Sequence, residues 1–222
     1  MAGVKQFNRN EVLDRAMEVF WRYGYQATSI QDLVEATGVN RGSLYTTFGD
    51  KCGLFIAVLD HYSEHIARPT MAELSNPDPR RAIEGMLESI VRRNCDPAWP
   101  NGCLDTNTAL ECPGAGDDIG RKIAELVGQQ EAAIYKVLRR AQNDGALDAK
   151  QDVRALARFF VGVAHGLNVV NKASRNPALL KDMVRIAMRV WDAGPAAHVS
   201  IRRRRPGRAA NAGSEAAAIA KA

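Results

Sequence analysis

The sequence is poor in the residues that would indicate a secreted, membrane-bound or metal-dependent protein. Its 222 residues include four cysteines (Cys52, Cys95, Cys103 and Cys112), which lack the paired spacing of a zinc site. Four cysteines are also too few for a scaffold held by disulfides, so a reducing cytoplasm is favoured. We find no apolar run long enough to span a bilayer and no opening that resembles an export signal. These shortages predict a soluble, cytoplasmic protein without a bound metal or cofactor.

Catalytic motifs are missing as well. The sequence has no nucleophile elbow, no phosphate-binding loop and no paired acid–base motif. His61 and His65 are spaced i, i+4 with Glu64 between them, but no third metal ligand can be identified, so an ordinary packed or solvated pair is favoured. We therefore predict that the protein is not an enzyme, and an enzyme built on a helical bundle is kept as the alternative from a different class.

Positive charge is scarce in the N-terminal region and concentrated at the other end of the chain. The net charge is +5, yet basic and acidic residues are equal in number through Lys51. The residues after Gly194 contain six basic side chains and one acidic side chain. This basic tail, with arginines at 202–205, is rich in alanine and glycine and is predicted to be disordered. Any affinity of the N-terminal region for an anionic partner must therefore come from individually placed contacts.

Residues 28–51 have the pattern of two short helices joined by a tight turn. Thr28 is a predicted N-cap with Gln31 reaching back, and Gly38 follows where a left-handed residue would end the first helix. Asn40 is the predicted cap of a second helix, whose apolar residues are spaced i, i+4 for a core. Two short helices with a glycine turn make a helix-turn-helix, whose second helix suits the DNA major groove.

The stretch resembles the DNA-binding signature of the TetR-type transcriptional regulators. The resemblance is carried by Thr28-Ser29, Gly38-Val39, Gly42-Ser43-Leu44-Tyr45, Phe48 and Lys51, and it is specific over roughly residues 8–60. It implies a dimer that binds double-stranded DNA, with phosphate contacts from Tyr45 and Lys51 and from the helix start at 28–29. Arg41 is the candidate for a bidentate contact with guanine or for a phosphate contact. The predicted DNA-binding residues are Thr28, Ser29, Asn40, Arg41, Gly42, Ser43, Tyr45, Thr46 and Lys51.

An interaction module whose head no longer reads DNA is a further alternative, and the intact polar face of the second helix argues against it.

The rest of the chain is predicted to form further helices, over about 8–23, 50–66, 80–94, 103–110, 117–143, 153–173 and 177–191. The predicted fold class is therefore all-α. We expect a three-helix DNA-binding head (residues 1–50), a helical effector-binding and dimerisation bundle (51–194) and the basic tail (195–222).

The last two helices offer more apolar surface than two helices in one small body need. The first of them has an apolar arc around Gly162 and Gly166, whose spacing would allow close helix approach. A two-fold homodimer would cover this surface, and burial within the monomer is the alternative. The resemblance also implies that these helices pair into a four-helix bundle. The predicted interface residues are Phe159, Gly162, Val163, Gly166, Leu167, Val170, Met183, Ile186 and Val190.

The resemblance further implies that the protein is a repressor bound to a palindromic operator. It would dissociate from this operator when a small-molecule effector occupies a pocket in the middle helices. The candidate lining residues are Met86, Trp99, Cys103, Leu104, Asn107, Leu110 and Tyr135. Residues 102–111 also look like a segment of one subgroup of the family, in which a cysteine senses electrophiles or oxidants. Cys103 at a helix start would have the lowered thiol pKa that such sensing needs, and a buried small apolar residue is the alternative.

Overall fold

The computed structural model describes residues 7–112 and 116–192, which contain ten α-helices. Their bounds are α1 Arg9–Tyr23, α2 Ile30–Thr37, α3 Arg41–Phe48, α4 Lys51–Tyr62, α5 Arg68–Ala72, α6 Pro79–Cys95, α7 Leu104–Glu111, α8 Asp118–Asn143, α9 Val153–Ser174 and α10 Pro177–Asp192. A π-helical turn (Ser63–Ala67) joins α4 to α5, and a 3-10 turn (Glu73–Ser75) follows α5. No strand occurs among the described residues, and the predicted all-α class is confirmed. The predicted tail, 195–222, lies outside them.

Helices α1 to α4 form the head around a shared apolar core. Asn8 caps α1, as predicted, by accepting a backbone N–H two residues on at 3.0 Å. The rings of Phe20 in α1 and Phe55 in α4 lie 4.6 Å apart, and Leu33 of α2 and Leu44 of α3 are fully buried beside them. Each such side chain contributes about 1.5–3 kcal/mol by leaving water, so this core fixes how α2 and α3 are rotated.

The helix-turn-helix forms where the sequence predicts it, but the cap of its first helix lies one residue later. Ser29, not Thr28, is the N-cap of α2, and its hydroxyl accepts the Asp32 N–H. In return the Asp32 carboxylate accepts the Ser29 N–H at 2.7 Å. The predicted cap at Thr28 with Gln31 is therefore wrong, because an acidic residue three positions after Ser29 completes a reciprocal capping box.

The remaining turns of the head follow their predicted signals. Gly38 ends α2 in the left-handed region at φ +70°. Asn40 caps α3 and Asp50 caps α4, each through its side-chain oxygen. Sequence reasoning missed Gly53, where an added Cβ would collide with the Phe48 carbonyl oxygen. A glycine is needed there because α3 and the start of α4 approach each other too closely for a side chain.

Helix α4 leaves the head and enters the body. The sequence predicts one helix to about residue 66, whereas the α-helix ends at Tyr62 and a π-helical turn follows, a departure often found near functional sites. The apolar core of the head also reaches beyond α4, since Leu104 of α7 and Ile119 and Ile123 of α8 belong to it. The domain boundary after residue 50 stays a prediction.

The body is built from α6, α8, α9 and α10 around a second core, which includes Ile83, Leu138 and Phe160. Among the described residues, α9 alone is long and apolar enough to cross a membrane by length and composition. Sequence reasoning did not identify this apolar stretch. In this structure α9 packs against α8 and α10. Its other side forms the exposed surface described below.

Candidate nucleic-acid interface and regulatory sites

Helix α3 presents a polar face to solvent directly after the helix-turn-helix turn. Leu44 is buried in the head core, which sets the rotation of the helix. The exposed or half-buried residues of α3 include Arg41, Gly42, Ser43, Tyr45 and Thr46. In a helix-turn-helix the N-terminal residues of the second helix contact base edges. The structure therefore places five of the predicted DNA-binding residues on the helix that would enter a major groove.

Arg41 is exposed at the first position of α3. Its guanidinium carbon lies 5.1 Å from the centroid of the Tyr45 ring. An exposed cation–π contact of this kind contributes about 0.5–1 kcal/mol and holds the side chain along the helix. The five N–H donors of a guanidinium match either a guanine edge or a phosphate. Both predicted roles of Arg41 stay open.

The hydroxyls and the glycine of α3 leave room for a close partner. Thr46 and Thr47 donate to the carbonyl oxygens of Gly42 and Ser43, each at 2.9 Å, so their own oxygens are left as acceptors. A Cβ on Gly42 would meet only the Asn40 side-chain oxygen, at 3.4 Å. The fold itself does not require a glycine here, which supports the prediction that Gly42 allows a close approach to DNA.

Two predicted phosphate contacts point into the head instead. Thr28 is buried, and its hydroxyl donates to the Gly24 carbonyl oxygen at 2.6 Å. The Lys51 ammonium donates to the carbonyl oxygens of Tyr25 and Thr28, both at 2.9 Å, and lies 4.4 Å from the centroid of the Tyr25 ring. In this structure the Thr28 hydroxyl is therefore not free for a phosphate, and the contact by Lys51 stays a prediction. The sequence could not show this, because both ties depend on the folded α1–α2 loop.

The body holds a cavity of about 40 Å³, large enough for a few water molecules. Its walls come from the α4–α5 segment, α6, α7 and its cap, α8 and α9: Tyr62, Ala67, Thr70, Met71, Met86, Ile90, Arg93, Cys103, Asp105, Gln130, Ile134 and Ala164. Two buried polar atoms on this wall, Asp105 Oδ1 and Arg93 Nε, have no hydrogen-bond partner among the described residues. Unpaired buried polar atoms are costly, so the cavity suits a guest that forms hydrogen bonds.

Burial shifts the titration of Asp105 and Cys103 on the cavity wall toward their neutral forms. Burial raises the pKa of Asp105 to about 7, against the opposing charges of Arg93 and Lys122. Burial, followed by the Asp105 charge, also raises the pKa of the Cys103 thiol, and Tyr62 donates a hydrogen bond to Sγ at 3.2 Å. The predicted lowering of the Cys103 pKa is therefore wrong, because burial outweighs the helix start. The resting thiol is protonated and not activated for attack on an electrophile.

The residues predicted to line an effector pocket do not share one pocket. Met86 and Cys103 line the cavity. Trp99 lies in a separate cleft with its ring 6.0 Å from that of Trp21, and Leu110 is 65% exposed. The other three lie elsewhere, with Leu104 in the head core, Asn107 beside Lys172 and Tyr135 under Arg154. Sequence reasoning missed Asp105 and Arg93, because their spacing gives no sign that the fold buries both.

A surface of apolar side chains runs along α9 and α10. Phe159 is 41% exposed and Ile186 is 49% exposed, while Gly166 of α9 approaches the Met183 side chain of α10. Leu167 was predicted in this surface but is fully buried in the body core, because the apolar arc of α9 serves both sides. Two exposed residues were missed, Val169 and Leu179. The other predicted residues, Gly162, Val163, Val170 and Val190, are exposed or half-buried.

Glu111, the last residue of α7, ties the body to the head. Its carboxylate accepts the backbone N–H groups of Tyr25 at 2.9 Å and Gln26 at 2.5 Å. Gly24 lies against it, since an added Cβ would be 2.6 Å from Glu111 Oε2. Cys103, the N-cap of α7, lines the cavity. One short helix therefore spans from the cavity to the α1–α2 loop, a link across 86 residues of sequence that no local pattern indicates.

His61 in α4 and His65 in the π-helical turn after it both have protein partners. His61 is buried with Nε2 2.6 Å from Asp14 Oδ1, and His65 Nδ1 lies 2.9 Å from the His61 carbonyl oxygen. No group of three potential metal ligands occurs in the part of the chain that the structure describes. These contacts tie α4 to α1 and account for both rings.

Known proteins match both parts of this architecture. Residues 12–58 match the family described as bacterial regulatory proteins, tetR family, and residues 79–187 match the tetracyclin repressor-like C-terminal domain. The HTH-type transcriptional repressor ComR of Escherichia coli is 32% identical over 192 residues, covering 84% of this chain and 90% of ComR. The uncharacterized HTH-type transcriptional regulator YezE of Bacillus subtilis is 33% identical over 194 residues, covering 86% of this chain and 100% of YezE.

A solved structure agrees with these relatives. A cysteine variant of the TetR family transcriptional regulator CifR, in a complex with 26-base-pair double-strand operator DNA, is 32% identical. It superimposes with a TM-score of 0.78 over 84% of this chain and 98% of the CifR chain. Relatives of this identity and coverage are regulators and not enzymes. The protein described here therefore belongs to the TetR family and is an all-α, DNA-binding transcriptional regulator.

Proposed function

We propose that this protein is a cytoplasmic homodimeric repressor that binds a palindromic operator through α3 and releases it when a small molecule occupies the body. The observation that carries the proposal is the polar face of α3, on which Arg41 and Thr46 are exposed while Leu44 anchors the helix. ComR is a repressor by name, and the CifR variant was solved with operator DNA. The same helix in this chain has the residues for that role.

The apolar surface of α9 and α10 supports the dimer. Phe159, Val169, Leu179 and Ile186 are all more than a third exposed on these two helices. Soluble monomers rarely leave a large contiguous apolar patch in water, so a partner surface is expected here. A second copy docked about a two-fold axis would present the same patch. Two heads in one dimer would then read two half-sites that are one helical turn, or a multiple of it, apart.

Operator binding is tested with DNA fragments from upstream of the protein's own gene. We expect a dimer to bind one fragment specifically, and Arg41→Ala to weaken that binding by about 5- to 150-fold, the equivalent of about 1–3 kcal/mol for a lost base contact. Arg139→Ala, which removes an exposed charge from α8, is the matched control and should leave binding unchanged. Equal binding to all fragments, or an Arg41→Ala variant that binds like the control, would contradict the proposal.

The cavity beside Asp105 is the effector site that the structure supports best. Asp105 and Arg93 offer an unpartnered acceptor and an unpartnered donor there. A guest larger than a few waters must displace Met71 and Met86, whose unbranched side chains rearrange easily. Movement of α7 would then reach the α1–α2 loop through Glu111. Effector binding would shift the population of head positions away from the one that fits the operator.

This effector site is tested with compounds that release the operator fragment from the wild-type protein. Asp105→Asn keeps the shape of the side chain, removes its charge and places an N–H₂ where a carboxyl oxygen stood. We expect this variant to need at least about tenfold more of the compound for half release, because a hydrogen-bonded partner is lost. Asp144→Asn, at the exposed end of α8, is the control. Identical release curves for the two variants would place the effector elsewhere.

A further inference from the structure

We propose that a cleft between the head and the body is a second binding site, for a small planar anion such as an aromatic carboxylate. The cleft has a volume of about 640 Å³, within the range of small-molecule sites. It is formed by the end of α1, the segment after α6 and the junction of α9 with α10. It shares no lining residue with the 40 Å³ cavity, so the two sites are distinct.

One wall of the cleft is aromatic. The rings of Trp21 and Trp99 lie 6.0 Å apart with an interplanar angle of 33°. Trp99 is 39% exposed and Tyr23 is 67% exposed, although both are large rings on a concave surface. Exposed aromatic faces gain from stacking with a flat partner, which covers apolar area in a defined geometry. The wall therefore favours a planar ligand over a compact or branched one.

Another wall of the cleft is positively charged. Lys172 and Arg175 bring two cations from the end of α9. The charge of Arg22, on the α1 side, is offset by Glu18 at 2.8 Å. Asp96 is the acidic residue on the wall, and its carboxylate already accepts a backbone N–H two residues on. With Arg22 paired and the Asp96 carboxylate counted against Lys172 and Arg175, the cleft keeps a net charge of one cation, which favours an anion.

Two buried polar atoms on cleft residues have no hydrogen-bond partner in the described part of the chain, Trp21 Nε1 and Asn94 Oδ1. Trp21 is almost fully buried, and an indole N–H can only donate. A carboxylate accepts several hydrogen bonds, and those from charged donors are the strongest. Lys172 and Arg175 offer charged donors to one carboxylate beside the aromatic wall that would hold its ring, and Trp21 Nε1 is a further donor without a partner.

The backbone at Arg175 suggests that its side chain has a role of its own. Arg175 has φ +46°, and it is the non-glycine residue with positive φ in the described part of the chain. Glycine adopts this conformation more easily, so the arginine is held at a conformational cost. With the Asn101 amide turned so that its oxygen faces the guanidinium, that oxygen accepts from Arg175 Nε at 2.9 Å. The guanidinium is thereby held at the edge of the cleft.

The site remains accessible in the proposed dimer. At 100° of rotation per helical residue, Arg175 lies about 180° around α9 from Gly166, which is in the apolar surface. Lys172 reaches α7 instead of that surface, donating to Asn107 Oδ1 at 3.2 Å. Ligand binding in the cleft can therefore be measured on the dimer and without DNA.

The first experiment titrates the full-length protein with benzoate and follows tryptophan fluorescence, with calorimetry as a second readout. Trp21 and Trp99 lie in the cleft, whereas Trp191 is buried in the body core. We expect saturable quenching by benzoate. Benzamide, which keeps the ring without the charge, and acetate, which keeps the charge without the ring, should each bind at least about tenfold more weakly, because each loses one of the two walls. Non-saturable quenching, or equal affinity for all three, would overturn the proposal.

The second experiment locates the bound benzoate. Arg175→Gly and Lys172→Gln should each weaken binding at least about tenfold, and Lys150→Gln, an exposed charge outside the cleft, should not. Arg175→Gly should keep or raise the melting temperature, because glycine suits φ +46°, so its loss of binding cannot be ascribed to unfolding. Full affinity in both cleft variants would overturn the proposal. Loss of binding in Asp105→Asn alone would also overturn it, by placing benzoate in the 40 Å³ cavity.

Discussion

The functional surface of the head is formed by residues that are close in sequence, whereas that of the body is formed by residues that are far apart in sequence. In the head, Asn40 caps α3 by accepting the N–H of Ser43, three residues away. In the body, Tyr62 meets Cys103 across 41 residues to form part of the cavity wall. A surface made by neighbours in sequence can be located before a structure is known. A cavity exists only when distant segments meet, so its residues carry no pattern of their own.

The two regions also differ in how they treat charge. Arg41 on α3 is exposed, and water or a DNA partner can satisfy its donors. Asp105 is buried, and one of its carboxyl oxygens has no hydrogen-bond partner among the described residues. Burial disfavours the charged carboxylate and raises the pKa of Asp105 to about 7. Charge on the head therefore serves recognition at the surface. In the body, the charge of the buried Asp105 instead depends on pH near neutrality.

The largest expected effect separates the buried side of α9 from the exposed apolar surface of α9 and α10. Leu167→Ala should lower the free energy of unfolding by about 2–5 kcal/mol, because Leu167 is fully buried in the body core. Ile186→Ala, which shortens an exposed apolar side chain of α10, should leave the unfolding of the monomer within about 0.5 kcal/mol and weaken the dimer. Urea unfolding at low protein concentration and analytical ultracentrifugation measure the two effects. Equal destabilisation by both variants would show that α9 and α10 have no free side.

The second effect is the pH dependence caused by Asp105. Its folded pKa of about 7 is above the ordinary value of 3.8, so between these values the folded state holds a proton that the unfolded state has lost. The contribution of Asp105 to stability should therefore be largest below about pH 4 and decrease up to about pH 7, by roughly 4 kcal/mol at most. Asp105→Asn should remove that part of the slope in denaturant unfolding measured from pH 5 to pH 8. Parallel profiles for wild type and variant would show that Asp105 is not held neutral.

The smallest expected effect tests a local contact of the head, the cap that Asn40 provides to α3. Asn40→Ala removes the cap of α3 and should cost about 1 kcal/mol of stability, with a similar loss in operator affinity, because the N-terminus of the recognition helix would fray. Asn10→Ala, an exposed position within the first turn of α1, is the control. Thermal unfolding and operator titration measure both variants. If Asn40→Ala behaved as the control does, α3 would be held by its core contacts and not by its cap.

Much of the fold could be predicted because its signals are local. Gly38 ends α2 and Asn40 caps α3 as the sequence predicts, and Asp50 and Asp117 are equally local caps of α4 and α8. The error at α2 has the same origin, since Thr28 and Ser29 are neighbouring hydroxyl residues that can both cap a helix. Only the backbone shows that Ser29 has the extended conformation of an N-cap and that Thr28 is buried.

The site was predictable only where exposure follows from helix periodicity. The polar face of α3 was found because Leu44 sets which residues point away from the core. Leu167 was misassigned because periodicity shows how wide an apolar arc is and not which part a neighbour covers. The thiol pKa of Cys103 was predicted in the wrong direction because the sequence shows the helix start but not the burial that opposes it.

By itself the sequence determined the all-α class, the helix-turn-helix and the polar helix that follows its turn. Caps, glycine turns and apolar periodicity act within about four residues, so they are legible in the chain. The tertiary structure alone decided that Lys51 binds the α1–α2 loop, that Glu111 joins body to head and that Asp105 lies beside Arg93 in a cavity. These features depend on burial and on segments far apart in sequence, and burial is what changes the charge state of a carboxyl or a thiol.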